Sequence, residues 1–158
     1  MATSQRSVVD LTFLLQQAAH VLNTELTAGL AELGVIPRAH CVLANAVDAG
    51  LTQIQLAELC QLDKTTMVVT LDALERDGLA ERHASPTDRR ARIVVVTEAG
   101  REVVSRGVAV VDRIHGDVLG SLPTELRVAF VAALEGLTAG RLATPAACVR
   151  PVRRRAHR

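Results

Sequence analysis

The chain has 158 residues, of which 49% are apolar, 22% charged and 1% aromatic, and its formal net charge is +1. This length suits one domain, or two closely joined lobes that share a core. With no Trp, no Tyr and two Phe, the composition argues against a stacking platform for single-stranded nucleic acid, which requires aromatic faces.

Charge is distributed unevenly along the chain. Residues 141–158 carry six Arg and no acidic residue, whereas residues 1–140 carry 12 basic and 17 acidic residues. The body is therefore acidic, and the tail is predicted to be basic and poorly ordered. Because salt screens phosphate attraction beyond about 10 Å, the body can bind DNA only through a local basic patch.

The cysteines and the apolar runs indicate the compartment. No charge-free apolar run is long enough to span a membrane, and no basic segment with an apolar run opens the chain, so we expect a soluble cytoplasmic protein. Cys41, Cys60 and Cys148 are widely spaced and fit neither a disulfide framework nor a zinc site. They are predicted to be reduced thiols, and we expect Cys41 and Cys60 to be small buried apolar residues.

The first two predicted elements are helices. Ser7 and Asp10 stand at capping-box spacing before a long series of apolar residues at steps of three and four. Gly34 ends this helix, and Pro37 suits the first turn of the second helix, which includes Cys41.

Two shorter helices follow, separated by a break of about three residues. Thr52 and Gln55 form a capping box for the first, and Asp63 is the predicted N-cap of the second. The buried stripe of the second helix is predicted to be Met67, Leu71 and Leu74.

After Gly78 the periodicity changes from that of a helix to that of a strand. Leu79–His83 and the β-branched run Arg92–Thr97 flank a polar loop, which predicts a β-hairpin. A further helix is predicted from Thr97 and Glu98 to about Leu119, and a last one from Pro123 to Gly140.

The order of elements between residues 51 and 100 is that of a winged helix-turn-helix. Its second helix would present the polar turn Lys64-Thr65-Thr66 to the major groove, while its apolar stripe anchors the other face. The hairpin would supply the local basic patch through Arg89, Arg90 and Arg92. Arg76 has an alternative interpretation, an ion pair with Asp72 or Glu75 on its own helix.

At these residues the sequence resembles the MarR family of bacterial transcription regulators. The resemblance rests on three segments and covers roughly residues 8–140 in element order. The segments are Leu51-Thr52-Gln53-Ile54-Gln55-Leu56-Ala57-Glu58-Leu59, Asp63-Lys64-Thr65-Thr66 leading to Leu74-Glu75-Arg76-Asp77-Gly78-Leu79, and Pro86-Thr87-Asp88-Arg89-Arg90 with Val96-Thr97-Glu98-Ala99-Gly100-Arg101.

The resemblance implies a mainly α fold with a small β-hairpin wing, in which a winged helix-turn-helix core is flanked by N- and C-terminal dimerisation helices. It divides the chain into an N-terminal dimerisation helix (1–36), the DNA-binding lobe (37–100), C-terminal dimerisation helices (101–140) and the basic tail (141–158). A homodimer would read a pseudo-palindromic operator with half-sites about one turn of the duplex apart. A small aromatic or phenolic effector, bound between the dimer helices and the winged lobe, would relieve repression.

Within the wing, the resemblance implies that Asp88 braces Arg90 and that a wing arginine enters the minor groove. In the recognition helix, Val68 and Val69 stand where relatives often place a hydroxyl and an arginine. Valine cannot hydrogen-bond a base edge but can contact a thymine methyl. The residues predicted to form the DNA-binding surface are Thr52, Lys64, Thr65, Thr66, Val68, Val69, Thr70, Arg76, Ser85, Thr87, Asp88, Arg89, Arg90 and Arg92.

Other functions leave weaker signals. No nucleotide-binding or nucleophile-elbow motif occurs, and the five His residues lack metal-ligand spacing, so neither a cofactor nor a metal is expected. An enzyme using Cys41 and His40 is disfavoured because adjacent helical side chains point about 100° apart. Two alternatives stay open: a winged-helix module that binds protein, and a redox-sensing repressor that acts through Cys41.

Overall fold

The computed structural model describes residues 10–88 and 90–144. They form six helices and one two-stranded antiparallel sheet. The helices are α1 (Leu11–Leu30), α2 (Pro37–Ala46), α3 (Gln53–Leu59), α4 (Lys64–Arg76), α5 (Glu98–Gly120) and α6 (Thr124–Ala139), and the strands are β1 (Ala80–Ala84) and β2 (Arg92–Val96). The predicted winged helix-turn-helix order is confirmed.

The first two helices begin and end at the residues that local chemistry dictates. Asp10 is itself the N-cap of α1, and its carboxylate accepts the amide N–H of Phe13 at 3.0 Å. The predicted partner Ser7 lies outside the described residues. A single 3₁₀ turn follows α1 and ends at Gly34, whose left-handed backbone (φ 70°) suits glycine. Pro37 occupies the first turn of α2, where its missing N–H costs nothing.

The helix-turn-helix pair is built from two N-caps. Thr52 and Gln55 form the predicted capping box of α3, with both reciprocal hydrogen bonds present. Asp63 caps α4 by accepting the amide N–H of Thr66 at 2.9 Å. Each cap joins residues three apart in sequence, so these helix starts are determined locally.

The wing is the hairpin of β1 and β2. Ala80 pairs with Val96 and Ala84 pairs with Arg92 at the two ends of the ladder. An isolated bridge joins Thr52 to Ile93, and the amide of Val94 donates to the carbonyl of Leu51 at 3.1 Å. The wing is thereby attached to the start of α3.

A single apolar core fills the lobe behind the helix-turn-helix pair. Met67, Leu71 and Leu74 of α4 are fully or almost fully buried, as their spacing predicts. They pack in one cluster with Leu and Val side chains from the other elements, namely Leu30, Val42, Leu43, Leu56, Val94 and Val96. Ile54 and Leu59 of α3 lie outside this core and are exposed.

The Thr97-x-x-Gly100 motif joins the wing to α5. The Thr97 hydroxyl donates to the carbonyl of Gly78 at 2.7 Å and accepts the amide N–H of Gly100 at 3.1 Å. A Cβ at Gly100 would lie 2.1 Å from the carbonyl oxygen of Leu79, closer than any real contact. Position 100 therefore requires glycine for close packing.

The chain divides into two compact units, one ending at His115 and the other beginning at Gly116. The first contains α1 to β2 and most of α5, and the second contains the end of α5 and α6. The predicted domain limits at residues 36, 100 and 140 remain predictions.

Among the described residues, no single helix is long and apolar enough to cross a membrane. The segments Leu11–Leu33 and Pro37–Ala46, which meet at an angle of 70°, are together long and apolar enough to do so, judged by length and composition alone.

Candidate nucleic-acid interface

The N-terminal turn of α4 presents a polar surface. Lys64 and Thr65 are exposed there, and Thr66 is half-buried. The Thr66 hydroxyl donates to Asp63 at 2.6 Å, in addition to the capping bond from its amide. These two hydrogen bonds from Thr66 hold the pKa of the Asp63 carboxyl below its usual value. Thr66 thus helps to fix the start of the helix, while Lys64 and Thr65 face solvent.

Further along α4, the two valines differ in exposure. Val69 is 58% exposed and Val68 is half-buried. An apolar side chain this exposed on a recognition helix is available for contact with a base edge in the major groove.

The predicted place of Thr70 on the DNA-contacting face is wrong. Its side chain is only 4% exposed. The Thr70 hydroxyl donates to the carbonyl of Thr66 at 2.7 Å and accepts the Nε–H of Arg38 at 3.1 Å. Because Arg38 belongs to α2, the Thr70 side chain connects two helices of the lobe instead of facing a duplex.

The wing tip is shaped by short polar turns. Ser85 is buried, and its hydroxyl oxygen accepts the amide N–H groups of Thr87 and Asp88, each at 3.3 Å. Ser85 therefore positions the tip and is itself withdrawn from the surface, which corrects its place among the contacting residues. Thr87 and Asp88 are exposed.

Asp88 does bind Arg90, but through the backbone. One Asp88 carboxylate oxygen accepts the amide N–H of Arg90 at 2.9 Å. The side chain of Arg90 is exposed at the tip. Arg92 is exposed at the start of β2, and its guanidinium donates to the carbonyl of Ala91 at 3.3 Å. Arg89 lies outside the described residues.

Arg82, which was not predicted from the sequence, attaches the wing to α4. It lies in β1, and its guanidinium donates to Asp72 at 2.5 Å and to Glu75, while its amide N–H donates to Glu75 at 2.8 Å. These contacts with Arg82 lower the pKa of the Glu75 carboxyl. The sequence did contain a sign of this pairing, because Asp72 and Glu75 lie on one face of the helix and an arginine follows in the next strand.

Arg76 does not pair with either acid proposed for it. Asp72 and Glu75 both bind Arg82, and the Arg76 guanidinium lies 3.6 Å from Asp77. Its side chain is 73% exposed. Thr52, the remaining predicted contact residue, is half-buried as the N-cap of α3, where its amide and hydroxyl both donate to Gln55 at 2.9 Å.

A second feature of this unit is a cavity of about 590 Å³. Its wall comes from α1, α2, α5 and the turn between α3 and α4. Polar side chains interrupt the mostly apolar lining at six places: Asn23, Arg38, His40, Asn45, Asp112 and His115. A volume of this size lies in the range of small-molecule binding sites.

The thiols depart from the sequence expectation. Cys41 is exposed, so its predicted burial is wrong, and Cys60 is half-buried. His40 is buried, and its Nε2 lies 3.4 Å from the carbonyl oxygen of Val104. The Cys41 sulfur instead lies 3.6 Å from the side-chain nitrogen Nδ2 of Asn45. In residues 10–88 and 90–144, no group of three or more His, Cys, Asp or Glu side chains is placed to hold a metal ion.

Comparison with known proteins gives a consistent result. A model of the MarR family matches residues 33–91. A structure of the transcriptional repressor CouR bound to a 23-mer DNA duplex is 30% identical, covers 81% of this chain and 92% of its own, and superposes with a TM-score of 0.74. The chain belongs to the MarR family.

Two further family structures contain small molecules. CouR from Rhodococcus jostii bound to p-coumaroyl-CoA is 28% identical, with a TM-score of 0.74, and covers 87% of this chain and 97% of its own. A Mycobacterium tuberculosis MarR-family protein in complex with p-aminosalicylic acid is 29% identical, with a TM-score of 0.64, and the match covers 80% of this chain and 97% of that protein. The present chain is accordingly a MarR-family DNA-binding transcription regulator and not an enzyme.

Proposed function

We propose that this MarR-family regulator is a homodimeric repressor that binds a pseudo-palindromic operator and releases it when a small aromatic ligand enters the cavity. The observation that carries the DNA-binding half of the proposal is the exposure of Lys64, Thr65 and Val69 on α4 together with Arg90 on the wing. The helix would read the major groove, and the wing would bind backbone and minor groove.

The interface in this proposal differs in three ways from the one predicted. Thr70 is removed because it is buried against Arg38, and Ser85 and Thr66 become positioning residues. Arg82 is added as the residue that holds the wing to α4. The direct contacts that remain are Thr52, Lys64, Thr65, Val68, Val69, Arg76, Thr87, Asp88, Arg90 and Arg92, with Arg89 retained from sequence.

Both α1 and α6 carry large apolar side chains that are exposed to solvent, which supports dimerisation. Phe13 on α1 is 59% exposed, and Val128 on α6 is 79% exposed. Their apolar neighbours Leu11, Leu14, Leu126 and Phe130 are exposed too. Such dense apolar exposure indicates surfaces that associate. A second copy of this chain is the proposed occupant, because a two-fold dimer carries the two recognition helices that a palindrome requires.

The cavity supports the proposed response to a ligand. Its wall joins α1 and α5 to Cys60 and Leu62 in the turn that precedes α4. A ligand that touches all of these elements would favour one position of the recognition helix over another, and its differential affinity would set the change in DNA binding. The relatives that bind p-coumaroyl-CoA and p-aminosalicylic acid suggest aromatic carboxylates and their thioesters as probes.

The first experiment is selection from a random duplex library at two salt concentrations. Recovery of an inverted repeat with half-sites about one turn apart would support a dimeric protein that recognises a specific DNA sequence. Retained DNA without a shared motif, lost at higher salt, would overturn the operator proposal and favour a protein-binding module. Charge reversal in Arg90→Glu should abolish specific binding, while Arg106→Glu, at an exposed position of α5, should not.

Dimerisation and ligand response need separate measurements. Sedimentation analysis should give a dimer for the natural chain and a monomer for Phe130→Asp. Aromatic carboxylates and their coenzyme A thioesters are then titrated against the protein–operator complex. A ligand that occupies the cavity should release the DNA, and His40→Ala, which removes a polar group from the cavity wall, should alter that release without altering DNA affinity.

A further inference from the structure

Arg38 lies between the cavity and the recognition helix. It belongs to the first turn of α2 and lines the cavity of about 590 Å³. It also lines a second, smaller cavity of about 290 Å³ between α4 and the start of α2, together with Val69 and Thr70. Among the described residues, Arg38 alone lines both cavities. Its side chain therefore faces the proposed effector site on one side and the proposed DNA-reading helix on the other.

The positive charge of Arg38 is not neutralised by a nearby acid. None of the described carboxylates forms an ion pair with its guanidinium, and the first turn of α2 contains no acidic residue. Among the described residues that line the larger cavity, Arg38 is the only arginine or lysine, and Asp112 of α5 is the only acid. The wall thus offers one guanidinium, the side chain best suited to bind a carboxylate through two parallel hydrogen bonds.

The same guanidinium is hydrogen-bonded to the recognition helix. Its Nε–H donates to the Thr70 hydroxyl at 3.1 Å. The Thr70 hydroxyl donates in turn to the carbonyl of Thr66 at 2.7 Å, and the Thr66 hydroxyl donates to the N-cap Asp63 at 2.6 Å. These three hydrogen bonds connect the cavity wall to the turn of α4 that presents Lys64.

We propose that Arg38 binds the carboxylate of the effector and gives up its hydrogen bond to Thr70 in doing so, which frees α4 from its DNA-binding position. This inference deepens the proposed function and rests on it. A carboxylate is a stronger acceptor for a guanidinium than a neutral hydroxyl is, so a bidentate carboxylate that takes Nε as one of its two donors displaces Thr70. An uncharged ligand in the same cavity leaves the bond between Arg38 and Thr70 in place. The charge of the ligand therefore selects between a linked and an unlinked position of α4.

Carboxylate binding is tested without DNA. Isothermal titration calorimetry on the full chain compares aromatic acids with their primary amides, beginning with p-aminosalicylic acid and its amide. The natural chain should bind the acid about tenfold or more tightly than the amide. Arg38→Gln should bind both as weakly as the natural chain binds the amide, whereas Arg106→Gln, at an exposed position of α5, should behave like the natural chain. Thr70→Val should bind the acid at least as tightly as the natural chain does, because Thr70 no longer competes for Arg38.

The coupling to α4 is tested by the ratio of operator affinities without and with saturating acid. This ratio should be about ten or more for the natural chain. Thr70→Val should bind the operator as weakly as the liganded natural chain, whether or not the acid is present. Thr70→Ser, which keeps the hydroxyl, should restore the response. Thr24→Val removes a comparable hydroxyl, which donates to the carbonyl of His20 at 2.9 Å in α1, and should leave the response unchanged.

Each part of the inference has its own contrary result. If Arg38→Gln still prefers the acid, or if no acid of the series binds the natural chain more tightly than its amide, then Arg38 is not the carboxylate-binding residue. A full response of Thr70→Val to the acid would overturn the coupling through Thr70. A smaller salt dependence of operator binding in Arg38→Gln would show that Arg38 binds a phosphate of the duplex instead. A natural chain that binds no duplex would defeat the proposed function, while the comparison of acid with amide would still decide the role of Arg38.

Discussion

Arg82 binds Glu75 twice, through its backbone amide and through its guanidinium. The amide contact holds the strand and the guanidinium contact holds the side chain, so β1 is attached to the last turns of α4 at two points. Asp72, one turn earlier on the same helix, binds the same guanidinium. The wing and α4 are therefore joined by both backbone and side-chain contacts, which fix the position of one relative to the other.

This arrangement predicts different salt dependences for two wing arginines. Arg82→Ala should weaken operator binding roughly 10- to 100-fold, because a lost charge-assisted hydrogen bond is worth about 1.5–3 kcal/mol, but should leave the salt dependence unchanged. Arg90→Ala should also weaken binding and should lower the slope of log affinity against log salt by about 1. Fluorescence anisotropy with a labelled operator over a salt series measures both.

The control for this pair is Arg106→Ala, which removes an exposed arginine from α5. It should change neither affinity nor slope. A reduced slope for Arg82→Ala would show that Arg82 touches phosphate, and an unchanged slope for Arg90→Ala would remove it from the interface.

Glu75 should contribute to the acid side of the stability curve. In the folded protein Arg82 holds the pKa of Glu75 below its ordinary value of 4.5. The stabilising effect of the Glu75 charge is therefore complete above pH about 4.5, and it is lost as the pH falls through the lower pKa of the folded state. Glu75→Gln keeps an acceptor for the Arg82 amide but removes the charge. The difference in urea midpoint between the natural chain and this variant should be constant near neutral pH and shrink below pH about 4.5.

The matched control here is Glu102→Gln, at an exposed position of α5. Its urea midpoint should follow that of the natural chain across the same pH range. A gap between the natural chain and Glu75→Gln that stays constant down to pH 3 would contradict the ion pair as the source of the lowered pKa.

The parts of the fold that could be predicted are those that depend on short sequence separations. The caps at Thr52 and Asp63 each act three residues along the chain, and the apolar stripe of α4 has helical period. Thr70 was misplaced because its partner Arg38 is distant in sequence, and helical spacing alone leaves it beside the exposed Val69. Arg82 was missed for the same reason, since its role depends on how the strand returns across α4.

Close packing at the start of α5 predicts a large effect of one methyl group. Gly100→Ala would place a Cβ 2.1 Å from the backbone oxygen of Leu79, which cannot rotate away. We expect the free energy of unfolding to fall by about 1–3 kcal/mol. Gly116→Ala in the same helix meets no atom within 4 Å and should be neutral or stabilising by roughly 0.5–1 kcal/mol. Urea denaturation of both variants gives the comparison, and equal effects would contradict the packing argument.

Val69 predicts how the recognition helix reads thymine. Its exposed side chain cannot hydrogen-bond a base, so its contribution to specificity must come from apolar contact with a thymine methyl. Replacing each thymine of the selected operator in turn by deoxyuridine removes only that methyl. At the contacted position the natural chain should lose about 0.8 kcal/mol, or roughly fourfold in affinity, because one buried methyl group is lost. Val69→Ala should bind the thymine operator more weakly and distinguish the two bases much less. If no thymine position responds, or if Val69→Ala retains the full discrimination, then the methyl is not read by this residue, and specificity rests on Lys64, Thr65 and the wing.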